Sequence, residues 1–378
     1  MSQLAVELRY SPDVARCDAL TREAIELART LNDGPTLARV LASRVRVIES
    51  PFSLDERLRL THELEEIAAS TGNLAVAAQV ASLRFDALLQ YGDVVGAEAA
   101  LVRSERAAAE LHAPFFAVFP QSLHTLLAIM RGDPVAPRLA REGFTAMSAI
   151  GLAHAPNIYA GCLFEFAARR GELAGSLEQV RGAATLFPAV TSFRTALVYT
   201  LAETGAHDEA RALLSAFADE GFAMRHDLNW ASALHYLSEA SFAVGDPRLA
   251  QAIYPDVVQV ADQVGMSVGI KTEGALAHSA GLLAFLLGRT DDASAHMENA
   301  IALNDRIGAI PAAVTSRRAY ATMQIANGFP DKAALLINQA LAQAEPLELI
   351  AERGKLVKLA DQLSSGTARV RANSAANR

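Results

Sequence analysis

The stretch Gly265-Met266-Ser267-Val268-Gly269 matches G-x-S-x-G, the string that presents a nucleophilic serine in one large class of hydrolases. That chemistry needs a sharp turn from a strand into a helix, which lifts the hydroxyl above a sheet. Here the preceding residues, 247–264, read as helical, no sheet is expected, and the string falls on a turn between helices. A helix expected to begin near Val268 would carry His278, the nearest histidine, about three turns away and well over ~10 Å from Ser267. The same segment runs on as Ile270-Lys271-Thr272, close to a phosphate loop. G-x-x-x-x-G-K-[ST] needs Gly before the Lys so that backbone amides can wrap a phosphate, and Ile270 stands there instead.

His235 and Glu239 are four apart and share a helix face, but a zinc site needs three or four ligands and the sequence offers no third nearby. Asp291-Asp292 reads as the acidic first turn of a helix, favourable at the positive end of its dipole. Cys17 and Cys162 have no metal or disulfide spacing and read as buried, reduced thiols. No nucleophile, base and oxyanion donor come together. The expectation is a protein that binds rather than catalyses, with no metal and no cofactor.

The elements that must position any site are helices. Hydrophobic residues make up 51% of the 378, aromatics only 6%, and the apolar set is rich in Ala and Leu, which favour helix. A Gly followed five positions later by a small residue recurs at Gly92 (Ala97), Gly205 (Ala210), Gly245 (Ala250), Gly288 (Ala293) and Gly328 (Ala333). Weaker copies stand at Gly132 (Pro137) and Gly171 (Ser176), giving successive spacings of 40, 39, 34, 40, 43 and 40. A second turn series interleaves with it: Leu31-Asn32-Asp33, Thr71-Gly72-Asn73, Leu111-His112-Ala113, Ile150-Gly151, Val264-Gly265, Ile307-Gly308 and Pro346-Leu347. Two series with one period imply two helices per repeat, the Gly closing the first and the small residue letting the pair approach.

Apolar positions in 331–347 follow the i, i+3, i+4, i+7 pattern, and nowhere is there sustained alternation, so no strand is expected. The fold class is therefore all-α: an α-solenoid of about eight or nine tetratricopeptide-like (TPR) hairpins of ~40 residues, irregular near Phe187-Pro188. Residues 1–350 form one continuous array, and 351–378 a basic helix end with a disordered tail.

Net charge is −8, of which the segment 351–378 carries +4 and the rest −12. The repeat body thus offers no phosphate-binding surface, and direct nucleic-acid binding by it is not expected. Ala280–Leu287, the longest apolar run, is far short of the ~20 residues of a membrane helix, and the first nine residues carry no apolar leader core. The expected location is the cytoplasm.

Several strings together resemble a known family. They are Arg22–Ala28 through Asn32-Asp33, Leu54–Leu58, Gly205–Leu214, Asp227-Leu228-Asn229-Trp230 and Gly288–Ala293. In this order, over residues 8–345, they resemble the C-terminal TPR-like region of bacterial signal-transduction ATPases, among them adenylate or guanylate cyclase-like proteins and LuxR-type or MalT-like regulators. The cyclase, ATPase and helix-turn-helix parts have no counterpart here. The resemblance implies a regulatory or scaffold module of signalling or transcriptional control. It would bind a protein or peptide in the concave groove lined by the first helices of the hairpins. The alternative is a free-standing receptor for a small-molecule or peptide signal. Groove candidates are Arg84, His124, Tyr159, Arg194, Trp230, His235, Lys271 and Arg317, although Trp230 reads better as a core anchor behind an Asp227 or Asn229 cap. A closed polar pocket would favour the receptor, and an open charged trough a protein partner.

Overall fold

The computed structural model describes residues 1–8, 14–188, 190–222, 229–267 and 270–376. Among them the chain is almost entirely helical. It opens with α1 (Ser2–Leu8), α2 (Val14–Leu31), α3 (Gly34–Val47), α4 (Leu54–Thr71), α5 (Leu74–Tyr91) and α6 (Val94–Leu111). Then come α7 (Pro114–Arg131), α8 (Ala136–Ala149), α9 (Ala155–Arg170), α10 (Leu177–Leu186), α11 (Thr191–Glu203) and α12 (His207–Asp219). After α13 (Trp230–Val244) and α14 (Arg248–Val258) there is a hairpin of β1 (Val264–Ser267) and β2 (Lys271–Ala275). The chain ends with α15 (Leu276–Leu286), α16 (Thr290–Ile307), α17 (Ile310–Ala326), α18 (Pro330–Ala344) and α19 (Ile350–Ala376).

The turn between α5 and α6 shows how sequence sets the hairpin. Asn73 caps α5 by accepting from the Ala75 and Val76 amides. Gly92, at φ 87°, stops it, and the Gly92 and Asp93 amides turn back onto the Leu89 and Leu88 carbonyls. A side chain at that φ would be strained, which is why Gly recurs there. Asp93 then caps α6 through the Gly96 amide. All seven glycines of the sequence series have positive φ, and Ala97, Ala210, Ala250, Ala293 and Ala333 are buried. Asn32, Gly72, His112, Gly151 and Gly308 of the second series take the same left-handed conformation.

Several expectations fail around residue 264: the helix expected over 247–264 ends at Val258, and a two-stranded sheet follows where no strand was expected. Val264-Gly265 is no turn between helices; it lies in β1, which pairs antiparallel with β2, and the next helix starts at Leu276 instead of near Val268. Val268 and Gly269 themselves lie outside the described residues. The hairpin escapes a period-two search because it is short, shifts register between Gly265 and Met266, and is buried on both faces. Gly274 shows the crowding: a Cβ there would lie 2.5 Å from the Ala312 Cβ.

Consecutive helices pack in order, but the chain also meets itself at long range. α7 touches α17 and β2, α9 touches α19, and α5 touches β1. One apolar core runs from α5 to α19, and a smaller one holds α3, α4 and α5 together around Leu41, Val45 and Leu64. Leu356 on α19, within the segment 351–378, is fully buried in the main core. Arg378, the last of the expected basic residues, lies outside the described residues. Among the described residues no helix is long and apolar enough to cross a membrane.

Candidate functional site

Where the long-range contacts bring α7, α9, α11, α13, α15, α17 and α19 together with β2, they line a partly open cavity of about 90 Å³. At ~10–15 Å³ per water position, that is room for several waters or one small molecule. Every lining residue comes from β2, from the first helix of a hairpin, from α19, or from the short connections entering α17 and α19. Helix geometry fixes which side chains face it. Glu165 and Arg169 on α9, Tyr199 and Glu203 on α11, and His235 and Glu239 on α13 are each four apart, one turn up the same face. Alternation along β2 puts Lys271 and Glu273 on one side of the strand.

These groups form two chains of alternating charge. In the first, Lys271 Nζ stands 2.7 Å from Glu165 Oε2 and 2.8 Å from Glu273 Oε2, above the Tyr236 ring at 5.3 Å. Glu165 also takes the Arg169 Nε at 2.8 Å, and Glu273 accepts from the Ser232 hydroxyl at 2.9 Å. In the second, Glu239 meets His278 Nε2 at 2.7 Å and the Arg318 guanidinium at 3.5 Å. Arg318 reaches Glu352 at 2.6 Å, and Lys355 joins Glu352 at 3.2 Å to Glu203 at 2.6 Å.

Burial alone would neutralise such groups, and the opposite charges reverse it. Desolvation raises Glu165, but Lys271 and Arg169 hold its carboxyl far below the usual range. Desolvation likewise opposes Glu239, which His278 and Arg318 keep ionised. Lys271 is held well above the ordinary lysine range by Glu165 and Glu273 against the cost of burial. Arg318 is raised by Glu352 and Glu239 in the same way. His235 goes the other direction: burial lowers it and favours the neutral imidazole.

An aromatic wall closes one side. Tyr199 and Tyr236 lie 5.0 Å apart, Phe164 sits edge-on to Tyr236 at 5.8 Å, and His235 is 6.1 Å from Tyr199. The Tyr199 hydroxyl has no hydrogen-bond partner among the described residues, and desolvation with four surrounding glutamates, Glu203 foremost, keeps it protonated.

Ser316, His278 and Glu239 line up like a nucleophile, base and orienting acid. Ser316 Oγ is 3.2 Å from His278 Nδ1, but it donates to the Ala312 carbonyl at 2.9 Å and accepts from Asn304 Nδ2 at 3.2 Å. It is 1% exposed and its hydroxyl is already engaged by the Ala312 carbonyl and Asn304, an arrangement that holds the imidazole against Glu239. Ser267, on β1 and not on an open turn, bonds to the Ser232 hydroxyl at 2.8 Å, and Ser232 in turn donates to Glu273. No cluster of three or more metal-ligating side chains occurs among the described residues, although His278 does join the His235 and Glu239 side of the cavity.

Of the eight groove candidates, the cavity collects two, His235 and Lys271. Trp230 is 2% exposed and packs edge-on against Phe52 at 5.0 Å as a core anchor, its expected partner cap Asp227 lying outside the described residues. Arg317 faces away, paired with Asp305 at 2.5 Å. Arg84 donates to the Leu58 carbonyl, and exposed His124 meets Glu105 at 2.6 Å. Tyr159 stacks on Phe144 at 4.7 Å, and Arg194 pairs with Glu220 over the Phe217 ring. Reasoning from polarity on first helices missed Glu165, Tyr199, Glu239, Arg318 and Lys355. The repeated four-residue spacing on α9, α11 and α13 was the available signal. No protein-family model matches the chain, and no curated protein sequence matches it either.

Proposed function

We propose that the chain is a non-catalytic signalling module, a superhelix of TPR-like hairpins whose first helices close around a small polar ligand. The observation that carries this reading is the cavity: small, recessed between the helices, and lined by paired charges with open polar groups at Tyr199 and His235. A space of about 90 Å³ suits a metabolite-sized molecule better than an extended peptide laid along a groove. The receptor reading is therefore favoured over a peptide groove.

The same ion pairs supply a route to signalling. Glu165–Lys271, Glu239–Arg318 and Glu203–Lys355 join segments 106, 79 and 152 residues apart, so they bridge the early and late parts of the array. A ligand inserted among them changes what holds the superhelix shut, and only such a differential contact can shift its shape. The test is a thermal-stability screen of the purified chain against size-fractionated low-molecular-weight extract of its host. A fraction that raises the melting temperature supports the proposal. Stabilisation only by fractions of protein size would replace it with the protein-partner reading.

A further inference from the structure

We infer that the cavity recognises its ligand through a protonated amine, seated against the Tyr199 hydroxyl, Glu203 and the aromatic wall. This rests on the small-ligand reading above and adds the chemistry to it. The cavity lining holds five carboxylates against four lysine and arginine side chains, with His278 held against Glu239, and burial lowers the pKa of its His235. Lys271, Arg318 and Lys355 each already face two carboxylates. An incoming anion would have to take them from those partners and would lie among five carboxylates.

An incoming cation finds the opposite. Glu203 gives one oxygen to Lys355 at 2.6 Å, and its other oxygen has no donor among the described residues. One turn before it on α11, the Tyr199 hydroxyl has no hydrogen-bond partner among the described residues and lines the same cavity as Glu203, Glu239, Glu165 and Glu352. Tyr199, Tyr236 and Phe164 present ring faces and edges beside this corner, and Lys271 already places its ammonium over Tyr236 at 5.3 Å. The wall thus accepts one ammonium group from the protein itself, and cation–π attraction favours a second.

The experiment uses the full chain and three probes at matched ionic strength: n-propylamine, alanine and propionate. Ligand-observed saturation-transfer NMR reports binding. Transfer to n-propylamine is expected, weakened about tenfold or more by Glu203→Gln and severalfold by Tyr199→Phe, which keeps the ring and removes the hydroxyl. Alanine binding as well would assign the amine to an amino-acid-like zwitterion; binding of n-propylamine alone would assign it to a simple amine. Propionate binding at least as well as n-propylamine, and blocked by the cavity-filling Thr315→Phe, would overturn the amine assignment and leave the small-ligand reading standing. Amine binding that is unchanged in both Glu203→Gln and Tyr199→Phe would also overturn it. If no probe and no extract fraction binds, both readings fall together.

Discussion

Around the cavity, Glu165, Lys271, Glu239 and Arg318 are buried against close opposite charge; between the end of α3, α4 and α5, Arg57 and Asp86 are buried with their charges only partly compensated. Arg57 gives Nη1 to Gln90 at 2.5 Å and stands 3.9 Å from Glu49, while its Nε and Asp86 Oδ1 are buried without a hydrogen-bond partner among the described residues. Burial, reinforced by Glu49 and only partly offset by Arg57 and Arg46, pushes Asp86 up to about 7. The difference teaches how burial and pairing compete. Where each charge has a partner within about 3 Å the ionised forms survive, and where pairing is incomplete the carboxyl takes up a proton.

The largest effect should come from unbalancing the matched region. Lys271→Met leaves Glu165 and Glu273 buried and short of a cation, and should cost about 3–5 kcal/mol in chemical denaturation. Adding Glu165→Gln should recover part of that loss, because it removes one of the orphaned charges. If the single variant unfolds like the parent, Lys271 is not the buried partner described here.

Next comes the unmatched region, read through pH. The folded Asp86 binds its proton up to about pH 7, above the unfolded value of 3.8. Its contribution is fully present below that unfolded value and is lost as pH rises through 7. Asp86→Asn should therefore match the parent near pH 4 and exceed it by about 2–4 kcal/mol at pH 8. The cavity carboxylates behave in the reverse sense: Glu165 and Glu239 are depressed, so their contribution is present above the ordinary carboxylate range and is lost only in acid. A parent stability curve that is flat between pH 5 and 8 would contradict the contrast.

Smaller effects sharpen the apolar frame that both regions share. Ala293→Leu should overpack the α15–α16 hairpin by about 1–3 kcal/mol. Gly288 has φ 73° with open space beside it, so Gly288→Val should cost roughly 1 kcal/mol through backbone strain alone. Smallest is Ser267→Ala, which loses one hydroxyl contact to Ser232 and should cost about 1 kcal/mol or less. A fluorophosphonate probe should leave Ser267 unlabelled in the folded chain. Stoichiometric labelling abolished by the alanine substitution would make the chain an enzyme.

The helical frame was legible in the sequence because Gly at a left-handed turn and Ala at a close helix contact are local requirements, repeated every ~40 residues. The cavity was not, because an i, i+4 pair such as Glu165 and Arg169 reads like an exposed ion pair until distant helices cover it. What buries it is closure of α9 on α19 and of α7 on α17, a long-range event with no local signature. The hairpin that delivers Lys271 was hidden by glycine and by a register shift. His235 and Lys271, which line the cavity, were conspicuous as polar side chains in apolar surroundings, and Trp230, named as an aromatic, takes the core place its sequence context favoured.

The central claim is that a small molecule occupies the cavity, and native mass spectrometry of the intact chain tests it most directly. After incubation with small-molecule host extract and gentle buffer exchange, the wild type should retain one adduct of metabolite mass per chain. Thr315→Phe, which fills the space between α17 and its neighbours, should lose that adduct while keeping the parent's helical content. An adduct retained equally by the filled variant would place the ligand elsewhere, and the absence of any adduct on the wild type would contradict the account.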